Sequence, residues 1–213
     1  MKKTKQIILD TSRKLFNGVG FSRVTIRQIA QEMNISSGNL NYHFKKREEI
    51  LEALYFEMVA VFDQRVKDLG NQEISLKHMQ HEIILSMERM LEYRFFWSDL
   101  YYLIQSSETI RNHFQKVRED RIQGYHFVFS ALKNKNILHK DGLEVEESFL
   151  ISRMIDYSNT WIYISSLYSQ EFTASELIRQ SCYQLMLFMD SLFTDVGRQE
   201  FRSLFKEYYL PGL

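Results

Sequence analysis

Two short stretches in the first fifty residues carry side chains suited to gripping a polyanion. Ser37-Gly38-Asn39 presents small polar groups in a row, and Lys45-Lys46-Arg47 presents three consecutive cations. Small residues at the start of a helix let its N-terminus enter a major groove, where an Asn amide can pair bidentately with adenine. Cations at the start of the next helix, beside free backbone N–H groups, favour phosphate. The charge distribution points the same way. Residues 1–50 hold ten basic and four acidic side chains, a net +6, whereas residues 51–213 hold seventeen and twenty-three, a net −6. A chain whose 27 Lys+Arg and 27 Asp+Glu cancel overall is therefore split into a basic and an acidic part, as expected when one part meets a polyanion. A plain three-helix bundle with a basic surface is the alternative this pattern leaves open.

The elements that would position these groups are short helices. In the first, Ile8, Leu15, Phe16 and Val19 share a face with small Thr11 and Ser12 beside them, and Gly18 and Gly20 are expected to end it. Thr25 opens the second, with Gln28 completing a capping box and Ile26, Ile29, Ala30 and Met33 as its buried stripe. A tight turn at Met33-Asn34-Ile35-Ser36 follows, with Asn34 suited to positive φ where glycine is usual. Ser36 caps a third helix that carries Ser37 to His43 and closes at Phe44. Helix, short turn, helix with a small polar start is a helix-turn-helix pattern. A long fourth helix is expected from there, striped by Leu51, Leu54, Tyr55, Met58, Val59, Phe62, Val66 and Leu69 and stopped at Gly70-Asn71.

Composition extends this reading to the whole chain. Of 213 residues only one is proline, Pro211, and eight are glycine, too few punctuators for an all-β fold and compatible with an all-α one. Further helices are expected over about 75–94, 98–106, 108–135, 145–168, 174–193 and 195–208, Thr173 and Glu176 forming another capping box. The single cysteine, Cys182, excludes an intramolecular disulfide framework and fits a core position in a reducing compartment. No secretory signal or membrane span is read, so a cytoplasmic location is expected. His78, His81 and Glu82 share a helix face at metal-binding spacing, but a lone H-x-x-H is more often surface. No catalytic motif and no cofactor-binding motif occurs, so neither enzyme activity nor a cofactor is expected. Of 30 aromatic residues, only Phe16, Phe21, Tyr42 and Phe44 fall in the first fifty. The remainder pack a helical core, with some free to line a small-molecule cavity.

The stretch Ile7 to Leu51, IILDTSRKLFNGVGFSRVTIRQIAQEMNISSGNLNYHFKKREEIL, resembles the DNA-binding domain of the TetR/AcrR family of bacterial transcriptional regulators. Ile8-Leu9, Leu15-Phe16, Gly20, Thr25, Ile29-Ala30 and the Gly38-x-Leu40-x-x-His43-Phe44 run carry the resemblance. It implies a base contact for Arg27 and a place near the phosphates for Thr25 and Gln28. Ser37, Gly38 and Asn39 would face the groove, and His43 and Arg47 would meet the DNA backbone, beside Lys46. Asn41 departs from the family, which usually has a phosphate-binding Tyr there; Tyr42 could replace that contact, or Asn41 could read a base itself. The resemblance further implies a DNA-binding domain over 1–46 and an effector-binding and dimerisation domain over 47–213, the helix 47–69 being shared. Trp97, Tyr101, Phe114, Tyr125, Phe129, Tyr157 and Trp161 are the candidate effector-binding aromatics. Helices 145–168 and 174–193 would pair with those of a second copy. The expected whole is a dimeric, effector-released repressor of an inverted-repeat operator on double-stranded DNA. Two alternatives stand beside it: a nonspecific DNA binder, and a ligand-binding or interaction module with a vestigial helix-turn-helix.

Overall fold

The computed structural model describes residues 2–69, 72–140, 144–168 and 172–209. Gly70-Asn71 and Pro211 lie outside them, as do the side chains of Lys2, Val66 and Leu69. Among the described residues the regular structure is helical: α1 (Lys2–Val19), α2 (Ile26–Glu32), α3 (Ser37–His43), α4 (Arg47–Leu69), α5 (Leu76–Glu92), α6 (Arg94–Ser98), α7 (Leu100–Ser106), α8 (Glu108–Asn134), α9 (Glu144–Tyr168), α10 (Ala174–Leu187) and α11 (Asp195–Leu204). The all-α expectation holds. The chain divides into two compact units, Met1–Arg65 with Arg89–Gln115, and Val66–Glu88 with Lys116–Leu213.

In the first unit the buried stripe of α1 is Ile8, Leu9, Ser12 and Phe16; Val19, expected on it, is 51% exposed. Gly18 remains helical, and Gly20 alone ends α1, at φ +87°. That left-handed backbone is cheap only for a residue without Cβ. Phe16 then packs edge-on to Phe21 (5.0 Å between centroids) and against Phe95 of α6 (5.2 Å). The basic N-terminus, open to being a free tail, is helical from Lys2, and Lys5 lies 5.0 Å over the Phe44 ring. Ile29, Ala30, Leu40, Phe44, Ile50, Leu51 and Leu54 complete the core under α2, α3 and α4.

In the second unit α9 packs on α10, and Glu147 of α9 accepts hydrogen bonds from Lys133 (2.5 Å) and His126 (3.1 Å) of α8. Cys182 is fully buried, and burial pushes its thiol up to about 12, as a core rather than a redox position requires. The helix expected over 174–193 ends at Leu187, and a 3-10 turn follows at Asp190–Leu192. That break lets the chain pair back on the end of α8: His139 donates to the Leu192 carbonyl (2.9 Å), and Thr194 N donates to Ile137 O (3.1 Å). The Thr194 hydroxyl donates to Asn136 O (2.7 Å) while accepting from Gly197 N (3.0 Å), capping α11. Asn136 itself takes φ +58°. A methyl at Gly197 would sit 2.1 Å from Ile137 O, a distance no packing adjustment absorbs without moving backbone. Gly197→Ala is therefore expected to destabilise by about 2–3 kcal/mol, read as a lower urea midpoint at unchanged slope.

Candidate nucleic-acid interface

Capping chemistry in the sequence fixes the two helices of the reading head. Thr25 and Gln28 form the expected capping box: Thr25 N donates to Gln28 Oε1 (2.8 Å), and Gln28 N donates to Thr25 Oγ1 (3.2 Å). The Thr25 hydroxyl also donates to Gln28 Oε1 (2.9 Å). Its proton is thus committed inside the cap, and the Gln28 NH2 is left as an exposed donor. Asn34 adopts φ +54°, as the turn requires. Ser36 Oγ then accepts from Asn39 N (3.1 Å), starting α3.

Between these caps the polar groups face outward. Arg27, Gly38, Asn39, Asn41 and Lys46 are exposed, Ser37 and His43 are half-buried, and Tyr42 is 72% exposed with its ring edge-on to His43. Leu40 and Phe44 hold the opposite side of α3 in the core. The arrangement offers side-chain amides, a guanidinium, a phenol and backbone N–H groups on the free side of α2 and α3, which is the inventory of groove readout. Lys45, exposed beside Lys46, adds a cation on the same loop while its backbone N–H donates to Glu49 Oε2 (2.8 Å).

Arg47 stands apart from this set. Its Nη1 lies 3.0 Å from Phe21 O, 3.1 Å from Ser22 O and 2.9 Å from Val24 O, and its guanidinium carbon sits 4.2 Å over the Phe21 ring. The guanidinium expected to meet the DNA backbone organises three carbonyls of the α1–α2 connection. A second clasp, not signalled by any motif, joins α1 to the α5–α6 junction. Asn17 Nδ2 donates to Glu92 O (2.8 Å), Phe95 N donates to Asn17 Oδ1 (3.1 Å), and Arg94 Nη2 donates to Asn17 O (3.0 Å).

The candidate effector aromatics fall in both units. Trp97 and Phe114 lie in the first, with ring centroids 6.4 Å apart, together with Tyr101, which is 80% exposed. Tyr125, Phe129, Tyr157 and Trp161 lie in the second, on α8 and α9. Tyr125 and Phe129 pack 6.1 Å apart, and Trp161 is buried. Among the described residues, no three His, Cys, Asp or Glu side chains converge to hold a metal, and no helix is long and apolar enough to cross a membrane.

A helix-turn-helix head with an outward polar face, on a chain otherwise built of helices, defines a helical DNA-binding protein. Residues 8–54 match the family described as bacterial regulatory proteins of the tetR family, and residues 57–201 match the TetR family described as bacterial transcriptional repressor. The chain belongs to the TetR family of transcriptional regulators, which are not enzymes. It is 25% identical over 91 residues to the probable HTH-type transcriptional regulator YttP of Bacillus subtilis, a stretch covering 43% of this chain. The chain thus spans under half of that relative, 44% of its length. A TetR-family regulator from Marinobacter aquaeolei VT8 shares the fold with a TM-score of 0.87 at 23% identity, over 96% of this chain and 98% of that one. A putative transcriptional regulator from Saccharomonospora viridis, solved in complex with choline, shares it at 0.66 and 18% identity, over 89% and 97%.

The geometry separates two arginines that look alike in sequence. Arg47→Ala removes a charged donor from three carbonyls and is expected to cost about 2 kcal/mol in urea unfolding. Arg27→Ala, on the open face, is expected to stay within about 0.5 kcal/mol of the parent. Equal stability of the two variants would refute the division.

Proposed function

We propose that the chain is an effector-released repressor that binds an inverted-repeat operator as a homodimer in the cytoplasm. Residues 1–46 would read DNA, and residues 47–213 would bind effector and dimerise. The observation that carries this reading is the outward face of α2 and α3: the side chains of Arg27, Asn39 and Asn41 are exposed and form no hydrogen bond with any other described residue. Arg27, Asn39 and Asn41 would read base edges. Gln28, Tyr42, His43 and Lys46 would meet phosphates, with Ser37 and Gly38 letting α3 approach. Arg47 would hold the head in shape.

Dimerisation has support in the second unit. Phe149, Tyr163, Ile164, Leu167 and Tyr168 of α9 are 42–82% exposed, and Leu187 of α10 is 37% exposed. Apolar side chains repeated along one helix and left open favour a second copy as cover. A single seven-residue recognition helix also contacts too few base pairs for useful specificity, which a two-fold dimer doubles. The choline complex of the Saccharomonospora viridis regulator supports a small-molecule effector here, and the aromatic groups on α8 and α9 favour one with apolar or aromatic character. To loosen DNA a hundredfold, that effector must prefer the non-binding state by about 2.8 kcal/mol.

Selection from a random duplex pool with the full chain tests the reading. An inverted repeat should be enriched, with Arg27→Ala binding it at least tenfold more weakly. Lys46→Ala should weaken binding to all sequences and reduce the salt slope by about 1 per half-site. Uniform binding without an enriched motif would make the chain a nonspecific binder.

A further inference from the structure

The second unit holds an arginine with neutral partners. Arg121, half-buried on α8, donates from Nη1 to Asn159 Oδ1 (2.8 Å) and from Nη2 to Ser158 Oγ, both on α9. The Tyr125 phenol stands one turn along α8, its pKa raised by burial against the opposing pull of Arg121. Ser158 is buried and passes its own proton to Ile155 O (2.7 Å). Among the described residues, none of the ion pairs involves Arg121. Some other cations of this unit are ion-paired among the described residues: Lys133 with Glu147, Lys135 with Glu73, and Arg198 with Asp190.

A guanidinium stays charged at any physiological pH, and its five N–H donors exceed the acceptors these neutral groups supply. Withdrawing such a charge from water toward dipoles alone is unfavourable until an anion joins it. A second observation lies on the same face of α9, one turn beyond Ser158. Trp161 is 1% exposed, and its buried Nε1 donor has no hydrogen-bond partner among the described residues. The Tyr125 phenol, its pKa raised by burial, keeps its proton at neutral pH. Cationic and neutral donors thus accumulate on α8 and α9 without a matching acceptor, beside the apolar ring of Phe129, 6.1 Å from Tyr125.

We infer that the α8–α9 cluster around Arg121 is an anion site, and that it takes the carboxylate of a small organic acid with an apolar or aromatic body. One cation calls for one negative charge, which favours a carboxylate over a doubly charged phosphate monoester. The planar guanidinium suits a carboxylate's two oxygens, and Phe129 and Trp161 suit an apolar body. As the site of the effector, this rests on the effector-released repressor reading.

Calorimetric titration of the full chain with decanoate and 2-naphthoate, each against its matched primary amide, tests the inference. At least one acid should bind tenfold or more tightly than its amide. Arg121→Gln should abolish that preference, and Arg121→Lys should keep part of it. Circular dichroism of ligand-free R121Q should show the parent's helix content, so that a lost acid preference reports on the site and not on unfolding. Equal binding of acids and amides, acid preference surviving in R121Q, or no acid binding to the parent would each overturn the site. Acid binding that leaves affinity for the selected duplex unchanged would keep the site and remove the effector reading. Release of DNA by an amide alone would keep that reading and remove the anion site.

Discussion

One guanidinium carries much of the architecture of the reading head. Arg47 gathers the carbonyls of Phe21, Ser22 and Val24 and lies over the Phe21 ring. Those carbonyls belong to the connection that follows the left-handed Gly20 and precedes the Thr25 cap. Carbonyls in an irregular connection have no ladder to satisfy them, and a charged donor is the strongest partner on offer. The first residue of α4 therefore fixes where α2 begins, and α3 inherits its place from the packing of α2 on α3. An exposed reading face is affordable only because the opposite face is this tightly tied.

The same unit also holds α1 against the end of α5. Asn17 exchanges hydrogen bonds with Glu92, Arg94 and Phe95. Arg89 donates to Glu57 O (2.9 Å), and Tyr93 OH donates to Glu57 Oε1 (2.5 Å). Burial, with help from that carboxylate, pushes the Tyr93 phenol up to about 12, so it remains a donor at neutral pH. Arg13 and Arg89 both lie over the Tyr93 ring. Since α4, α5 and α8 each continue beyond the first unit in sequence, an effector acting on them has covalent routes to the head in addition to α4 alone. Differential strain along such helices is the physical content that the effector reading requires.

Local chemistry was legible in the sequence. Thr25 with Gln28, Asn34, Ser36 and Thr173 with Glu176 each declare a backbone geometry through their own side chains, and the structure realises each one. Helical periodicity located the long helices within a few residues. What the sequence hid was long-range. Nothing in Lys45-Lys46-Arg47 distinguishes the third cation from its neighbours, because its partners are 23 to 26 residues away. Asn17 reads as an ordinary helix residue until Phe95, 78 residues on, is placed beside it. The break after Leu187 follows from pairing with the segment around Ile137 and Leu138, an override of local propensity by tertiary contact. The candidate aromatics fall in both units, because residue type does not say which unit a ring belongs to.

The neutral total charge thus resolves into a basic head and an acidic remainder, with the DNA-reading role assigned to the head alone. Amide hydrogen exchange of the full chain, free and bound to its selected duplex, tests that assignment directly. Protection on binding is expected in α2, α3 and the Lys45–Arg47 junction, with α9 and α10 exchanging as in the free protein. Protection confined to α9 and α10, with α3 unchanged, would contradict it.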